Sequence, residues 1–322
     1  MTPRSPRSAP ACEGPQSTPR ANAIFRTLSG QGYKLREQLD GGNYGTIHMA
    51  VSKTTREPVI IKELDASYPK RQHAIREADL MGALSHPHIV KLHDRVEIGD
   101  RLFLAMQLAR GGDLHDHVIG SVNGMLSIAE SKRIFAQLAL GLQHMHKRHI
   151  VHLYVLSLSR CPLPSSTLAH SLSLSHRDIK PDNVFLDADK NVLIGDFGLS
   201  DRFKPKHRSM VARGGTLHYA APESFIGSMV EGPELDVWSL GAVLYVMMRG
   251  RYPFWGETES QTVKEILFTE PFWPEWFPAD AIDLLKRMLV KNPRSRISMS
   301  KVKRHPFIQR EVRHWKHRPD VV

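Results

Sequence analysis

Between residues 33 and 107 the apolar positions fall in short runs of strand length, cut by turn formers at Gly41, Gly42, Asn43 and Thr54. This pattern predicts strands over 33–39, 46–51 and 58–62, a helix over about 70–84, and further strands near 89–96 and 102–107. After Gly111-Gly112 the period lengthens. Ile134, Leu138, Leu142 and Met145 make one stripe at helical spacing, and Ser127-Ile-Ala-Glu130 ahead of them has the spacing of a capping box. Helices are also predicted over 236–249, 259–268 and 279–290, with Asn292-Pro293 as a stop. The expected fold class is therefore α+β, with a small sheet-rich lobe over 33–107, a larger helical lobe over 108–310, and no internal repeat.

The two ends depart from this pattern. Residues 1–32 carry five prolines in the first twenty positions and few large apolar residues, which predicts a disordered basic arm. An Arg-rich transit peptide is the competing reading, but the prolines oppose an amphipathic helix. Residues 311–322 are expected to form a short basic tail.

Composition adds limits. A chain of 322 residues with 41% apolar and 24% charged residues can build a globular core and is not collagen-like, fully disordered or disulfide-knotted. The net charge of +11 first suggests a nucleic-acid partner. Yet residues 1–32 hold four Arg against one Glu and residues 301–322 hold seven Lys/Arg against two acids, so eight of the eleven charges sit at the ends. Nucleic acid is accordingly not expected as the main partner. Cys12 and Cys161 cannot build a disulfide framework and fit a reducing compartment. The longest clean apolar stretch, 238–248, is too short to span a bilayer, and no apolar signal-peptide core follows the first Met. A soluble protein of the cytoplasm or nucleus is expected, and its oligomeric state is left open.

The candidate chemistry begins at Leu39-Asp-Gly-Gly-Asn-Tyr-Gly-Thr-Ile47, a glycine-rich turn between two predicted strands whose amides can approach a polyphosphate. Such turns are usually plain hairpins, so the neighbours decide. Val59-Ile-Ile-Lys62 ends a strand with a cation, and Glu77 lies on the predicted helix face shared with Leu80, Met81 and Leu84, where a carboxylate needs a partner. Further on, His176-Arg-Asp-Ile-Lys-Pro-Asp-Asn183 offers a carboxylate, a cation and a carboxamide in one Pro-stiffened loop. Gly195-Asp-Phe-Gly198 and Ala221-Pro-Glu223 follow.

In this order and at these spacings the motifs resemble the eukaryotic protein kinase family, from about Tyr33 to Arg310. The resemblance implies a two-lobed enzyme that transfers the γ-phosphoryl group of Mg·ATP to Ser/Thr of protein substrates. Leu39, Gly41, Gly42, Asn43, Gly45 and Ile47 would form the loop over the ATP phosphates. Lys62 would hold the α- and β-phosphates, and Glu77 would fix Lys62. Asn183 and Asp196 would coordinate Mg²⁺. Asp178 would orient the substrate hydroxyl and take its proton, while Lys180 would stabilise charge on the γ-phosphoryl group. Lys180 and Thr216 together favour the Ser/Thr over the tyrosine branch. Ile60 would border the nucleotide, Met106 would be the gatekeeper, Gln107, Leu108 and Ala109 the hinge, Asp113 the acid near the ribose, and Phe185 the floor under the adenine. Met81, Leu92, His176 and Phe197 would stack as the regulatory spine, Asp236 would anchor the catalytic loop, and Glu223 would pair with Arg296. Gly232-Pro-Glu-Leu-Asp-Val-Trp238 and His305-Pro-Phe307 look like the calcium/calmodulin-dependent group, nearest its AMP-activated and microtubule-affinity-regulating branch.

There are departures from the family. Asp40 replaces the first glycine of the loop and Ile60 replaces a small residue, and both should weaken ATP binding. Ala212 stands at the usual phosphoacceptor position, leaving Ser209 as the only hydroxyl between Arg202 and Arg213. The largest departure is 153–175, with seven Leu and seven Ser in twenty-three positions, between His152 and His176. Deleting 153–176 or 152–175 restores the family's contiguous Ile-Val-His-Arg-Asp. A surface loop, a regulatory insert and a translated intron are the three explanations. The last is favoured, because pyrimidine-rich DNA encodes Leu/Ser-rich runs.

A non-catalytic nucleotide-binding scaffold is the rival function. It has no chemical need for Lys62, Glu77, Asp178, Asn183 and Asp196 together. A small-molecule phosphotransferase would lack Thr216, Ala221-Pro-Glu223 and the Arg296 partner.

Overall fold

The computed structural model describes residues 26–42, 45–152, 155–156, 179–198, 200–202, 211–212, 217–226 and 232–316, of which 40–42, 155–156, 201–202, 211–212 and Lys316 are described by backbone alone. The first lobe is a five-stranded antiparallel sheet in the order β1-β2-β3-β5-β4. Its strands are β1 (Tyr33–Gly42), β2 (Gly45–Ser52), β3 (Pro58–Asp65), β4 (Leu92–Ile98) and β5 (Arg101–Gln107). Along β3 the period of two sends Val59 and Ile61 to an outer cluster with Tyr33, Ala50, Phe103 and Ala105. The alternate residues Ile60, Lys62 and Leu64 consequently face helix α1 (Arg71–Gly82) and the space between the lobes.

That first cluster also corrects an expectation about the N-terminal arm. Residues 26–30 are helical, and Leu28 is fully buried against the outer face of the sheet. Residues 26–32 therefore do not belong to the arm expected over 1–32, because one leucine finds an apolar patch that its own segment could not supply. Residues 1–25, with Cys12, lie outside the described residues.

The second lobe is helical. Helix α2 (Leu114–Ile119) is capped by Asp113, and α3 (Ile128–Lys147) runs through the core against α4 (Gly232–Arg249). Helix α4 is apolar on nearly all sides and buried from Leu235 to Met248, as befits the central element of the lobe. Around this pair lie α5 (Glu259–Phe268), α6 (Ala279–Met288), α7 (Met299–Val302) and α8 (Gln309–Lys316). Ser127 caps α3 by accepting from the Glu130 amide at 3.2 Å, but the Glu130 carboxylate meets His117 at 2.8 Å, so only half of the expected box forms. A complete capping box, absent from the sequence-based reading, opens α5 between Thr258 and Gln261.

Three short ladders among the described residues complete the frame. β6 (Ile150–Val151) pairs with β10 (Asp201–Arg202), β7 (Val155–Leu156) with β11 (Val211–Ala212), and β8 (Val184–Leu186) with β9 (Val192–Ile194). The strand expected from residue 89 starts only at Leu92. Residues 88–90 bond instead to β9, with Val90 N–H donating to Ile194 O at 2.9 Å and Ile194 N–H to His88 O at 2.9 Å. This ties the second lobe to the segment that leads into β4.

Candidate active site

A cleft of about 550 Å³ opens between the lobes. Leu39, Ile47, Ile60 and Met106 line its apolar part from the sheet side, and Phe185 on β8 lines it from the second lobe. Gln107, Leu108 and Asp113 follow the strand-to-helix connection along its edge, and Lys62, Glu77, Asn183 and Asp196 form its polar end. All were expected at one site from the sequence.

The polar end is built by four different elements. Strand β3 turns Lys62 inward, where its Nζ lies 2.7 Å from Glu77 Oε1 and 3.2 Å from Asp196 Oδ1. Glu77 comes from the buried face of α1, beside Ala74, Ala78 and Met81. Asp196 follows β9 with φ of 55°, a left-handed conformation that aspartate tolerates and that carries its carboxylate to Lys62. Asn183 closes the short helical turn Pro181–Asn183, where its N–H donates to Lys180 O at 3.0 Å.

Electrostatics follow from this packing. Burial alone would lower the Lys62 pKa, but the carboxylates of Glu77 and Asp196 outweigh it and hold the ammonium well above its ordinary range. Burial pushes Glu77 up against the opposing pull of Lys62. Burial opposes ionisation of Asp196 too, yet Lys62 and the Gly198 amide keep its pKa below the ordinary value. The site thus holds a fixed ammonium and an ionised carboxylate next to the Asn183 carboxamide.

The glycine-rich turn is a hairpin in which Asp40, Gly41 and Gly42 pair with Ile47, Thr46 and Gly45. Gly45 has φ of 128°, and a Cβ there would strike the Glu63 carbonyl, so the position requires glycine. Asn43 at the tip lies outside the described residues, as do Asp178 and Thr216. Lys180 is half-buried and precedes the Pro181–Asn183 turn.

The surrounding frame carries one correction. His152, at the end of β6, packs its ring on Phe197 at 5.6 Å between centroids and lies with its Nε2 2.9 Å from Gly195 O. It fills the place against Phe197 that the resemblance gave to His176, which lies outside the described residues. The reason is sequence order: β6 delivers the first histidine that follows Ile150-Val151 directly to the Phe197 ring. Asp236 on α4 accepts from the His152 backbone N–H at 3.2 Å and lies 2.7 Å from His146 Nε2. Glu223 and Arg296 make a two-pronged buried pair at 2.7 and 2.8 Å. Val90 and Gly195 also line the cleft, and the sequence-based site omitted them. Val90 carried no signal beyond its strand pattern; Gly195 was visible only as a flank of Asp196.

The sequence matches the protein kinase domain family over residues 33–155 and 166–308. The chain belongs to this family. It is 34% identical to the serine/threonine-protein kinase SIK2 of Gallus gallus over 283 residues, covering 86% of this chain and 32% of that protein. To the serine/threonine-protein kinase SIK1 of Mus musculus it is 33% identical over 283 residues, with the same shares covered. It is 31% identical over 284 residues to the sucrose non-fermenting protein kinase 1 of Fusarium virguliforme, covering 87% of this chain and 37% of that protein. The chain thus spans about a third of the length of these curated relatives, which agree with the AMP-activated-kinase-like branch indicated by its motifs. No described helix is long and apolar enough to cross a membrane.

Proposed function

We propose that this chain is a protein serine/threonine kinase that transfers the γ-phosphoryl group of Mg·ATP to a Ser or Thr hydroxyl of protein substrates inside the cell. The observation that carries the reading is Lys62 Nζ set between Glu77 and Asp196 at one end of an apolar cleft, with Asn183 beside them. A flat apolar slot suits a purine, and a fixed ammonium suits its phosphates.

The donor set fits a hard divalent cation. Asn183 and Asp196 offer oxygen ligands, and no described cysteine or histidine stands with them at the polar end of the cleft. They are the residues that would hold Mg²⁺, which when bound with ATP neutralises phosphate charge. Lys62 would orient the α- and β-phosphates. Asp178 would accept the proton of the substrate hydroxyl as its oxygen bonds to the γ-phosphorus and the bond to the bridging oxygen breaks, leaving ADP. Lys180 would stabilise the charge on the transferred group.

The test is phosphate transfer from Mg·ATP to a generic Ser/Thr peptide by the purified chain and by Asp178→Ala and Asp196→Ala. Both variants should lose turnover by orders of magnitude, with ATP still bound by Asp178→Ala. Nucleotide binding without transfer by the parent chain would point to a non-catalytic scaffold, and near-normal transfer by either variant would remove the residue assignment.

A further inference from the structure

Ser29 stands on the single helical turn of residues 26–30, the turn that lays Leu28 on the outer face of the five-stranded sheet. There it meets a cation from the connection between β2 and β3. Lys53 Nζ donates to the Ser29 carbonyl oxygen at 2.6 Å and to Ser29 Oγ at 2.7 Å. The Lys53 backbone N–H donates to Gly32 O at 2.7 Å, so the ammonium is carried on a segment that is itself tied to the chain just after Ser29.

The charge around this hydroxyl is of one sign. Between Glu13 and Glu37 the charged residues are Arg20, Arg26, Lys34 and Arg36, four cations without an acid. Arg26 is three residues before Ser29 on the same turn, a spacing that puts two side chains on one side of a helix. Among the described residues no carboxylate pairs with Lys53. A hydroxyl held by an ammonium within an acid-free run is suited to carry an anion. A phosphate on it turns the neutral contact with Lys53 into a charge-assisted one.

We propose that Ser29 is a phosphorylation site of this protein and that its phosphate, paired with Lys53, latches the 26–30 turn and Leu28 onto the sheet. One exposed turn is marginal by itself and opens locally, which offers the hydroxyl to a kinase. In the reaction Ser29 Oγ bonds to the γ-phosphorus of Mg·ATP, the bond from that phosphorus to the bridging oxygen breaks, ADP leaves, and the hydroxyl proton passes to the catalytic base. The enzyme is a second copy of this chain. That step rests on the kinase reading; the latch does not. When the turn closes again, the phosphate meets Lys53 and holds Leu28 in its seat.

The experiment has two arms, both on the full chain. In the first, the purified protein is incubated with Mg·ATP and mapped by mass spectrometry, with a generic Ser/Thr peptide in a parallel reaction. Phosphate is expected on Ser29, at an initial rate per molecule that rises with protein concentration, as transfer between two copies requires. In the second, phosphoserine is built in at position 29 during synthesis of the parent, Lys53→Arg and Lys53→Met chains. Melting temperature and the rate of trypsin cleavage after Arg26 are then compared with and without the phosphate. In the parent the phosphate should raise the melting temperature by about 2 °C and slow cleavage by up to about fivefold. Lys53→Arg should keep most of both effects, Lys53→Met should lose them, and high salt should shrink them.

Ser29 left without phosphate in a preparation that phosphorylates the peptide would overturn the proposal. So would a phosphate that changes neither readout, or that changes both equally in the parent and in Lys53→Met, since its charge would then act without the ammonium. If neither the peptide nor Ser29 takes up phosphate, the kinase reading fails, and the built-in phosphoserine decides the latch by itself.

Discussion

The ring of Phe185 stands where a side chain on Gly195 would have to be: a Cβ built on Gly195 would lie 2.6 Å from Phe185 Cε2 and 3.1 Å from Val90 Cγ2. Both residues line the cleft, so the bulk of one depends on the absence of a side chain on the other. Gly195→Ala should tilt the Phe185 ring into the adenine slot and raise the ATP KM several-fold, a change of about 1 kcal/mol. Combining it with Phe185→Leu should return most of that loss. An unchanged KM for Gly195→Ala would show that the ring has room to move elsewhere.

The opposite wall of the slot is also crowded. Ile60 pairs with Met106 across the β3–β5 ladder, and both face the cleft. Trimming this wall with Ile60→Ala, together with Asp40→Gly at the loop, should lower the ATP KM several-fold. Nucleotide titration of the double variant checks this, and binding no tighter than in the parent would mean that neither side chain limits entry.

A third expectation concerns the buried ion pair of the second lobe. Arg296 grips both Glu223 oxygens and also donates to Glu234 O at 2.6 Å, all inside the protein. Removing one partner leaves the other charge buried without its match, which costs about 3–5 kcal/mol. Arg296→Met should therefore lower the unfolding free energy by that order in denaturant titration. The double variant Arg296→Met/Glu223→Leu should recover much of the loss, and additive losses would argue against coupling.

Most of this site was legible in the sequence because the elements that carry it are short and strongly patterned. The period of two along β3 suffices to aim Lys62 inward, and the apolar face of α1 leaves Glu77 without water unless a cation meets it. What the sequence could not give was any choice that depends on a contact made far along the chain. His152 follows Ile150-Val151 and His176 precedes Arg177-Asp178, so each carries half of the family's run, and it is the distant carbonyl of Gly195 and the ring of Phe197 that meet His152. Leu28 was read as part of the polar arm for the same reason, since the patch that buries it is assembled from β1, β2, β3 and β5. The return half of the Ser127 box was lost to His117, another partner that spacing alone does not reveal.

The last prediction is a pH dependence of stability centred on His86. Burial, with the nearby charges of His88, His144, Arg148 and Lys303, holds its pKa down to about 3 from the ordinary 6.5. Its Nδ1 accepts from the His88 amide at 3.1 Å, and its ring lies 4.8 Å from that of His144, so the folded protein needs the neutral form. In the unfolded chain His86 takes up a proton below about pH 6.5, so between 6.5 and about 3 the unfolded state binds more protons than the folded one. Stability from this group is full above pH 6.5 and falls as pH falls, with a slope of at most about 1.4 kcal/mol per pH unit. His144, also lowered by burial and by Arg148 and Lys147, adds to the same trend. Denaturant titrations at pH 7 and pH 5 on the parent and on His86→Asn measure the effect. The parent should lose clearly more stability than the variant on acidification, and parallel losses would place the acid sensitivity elsewhere.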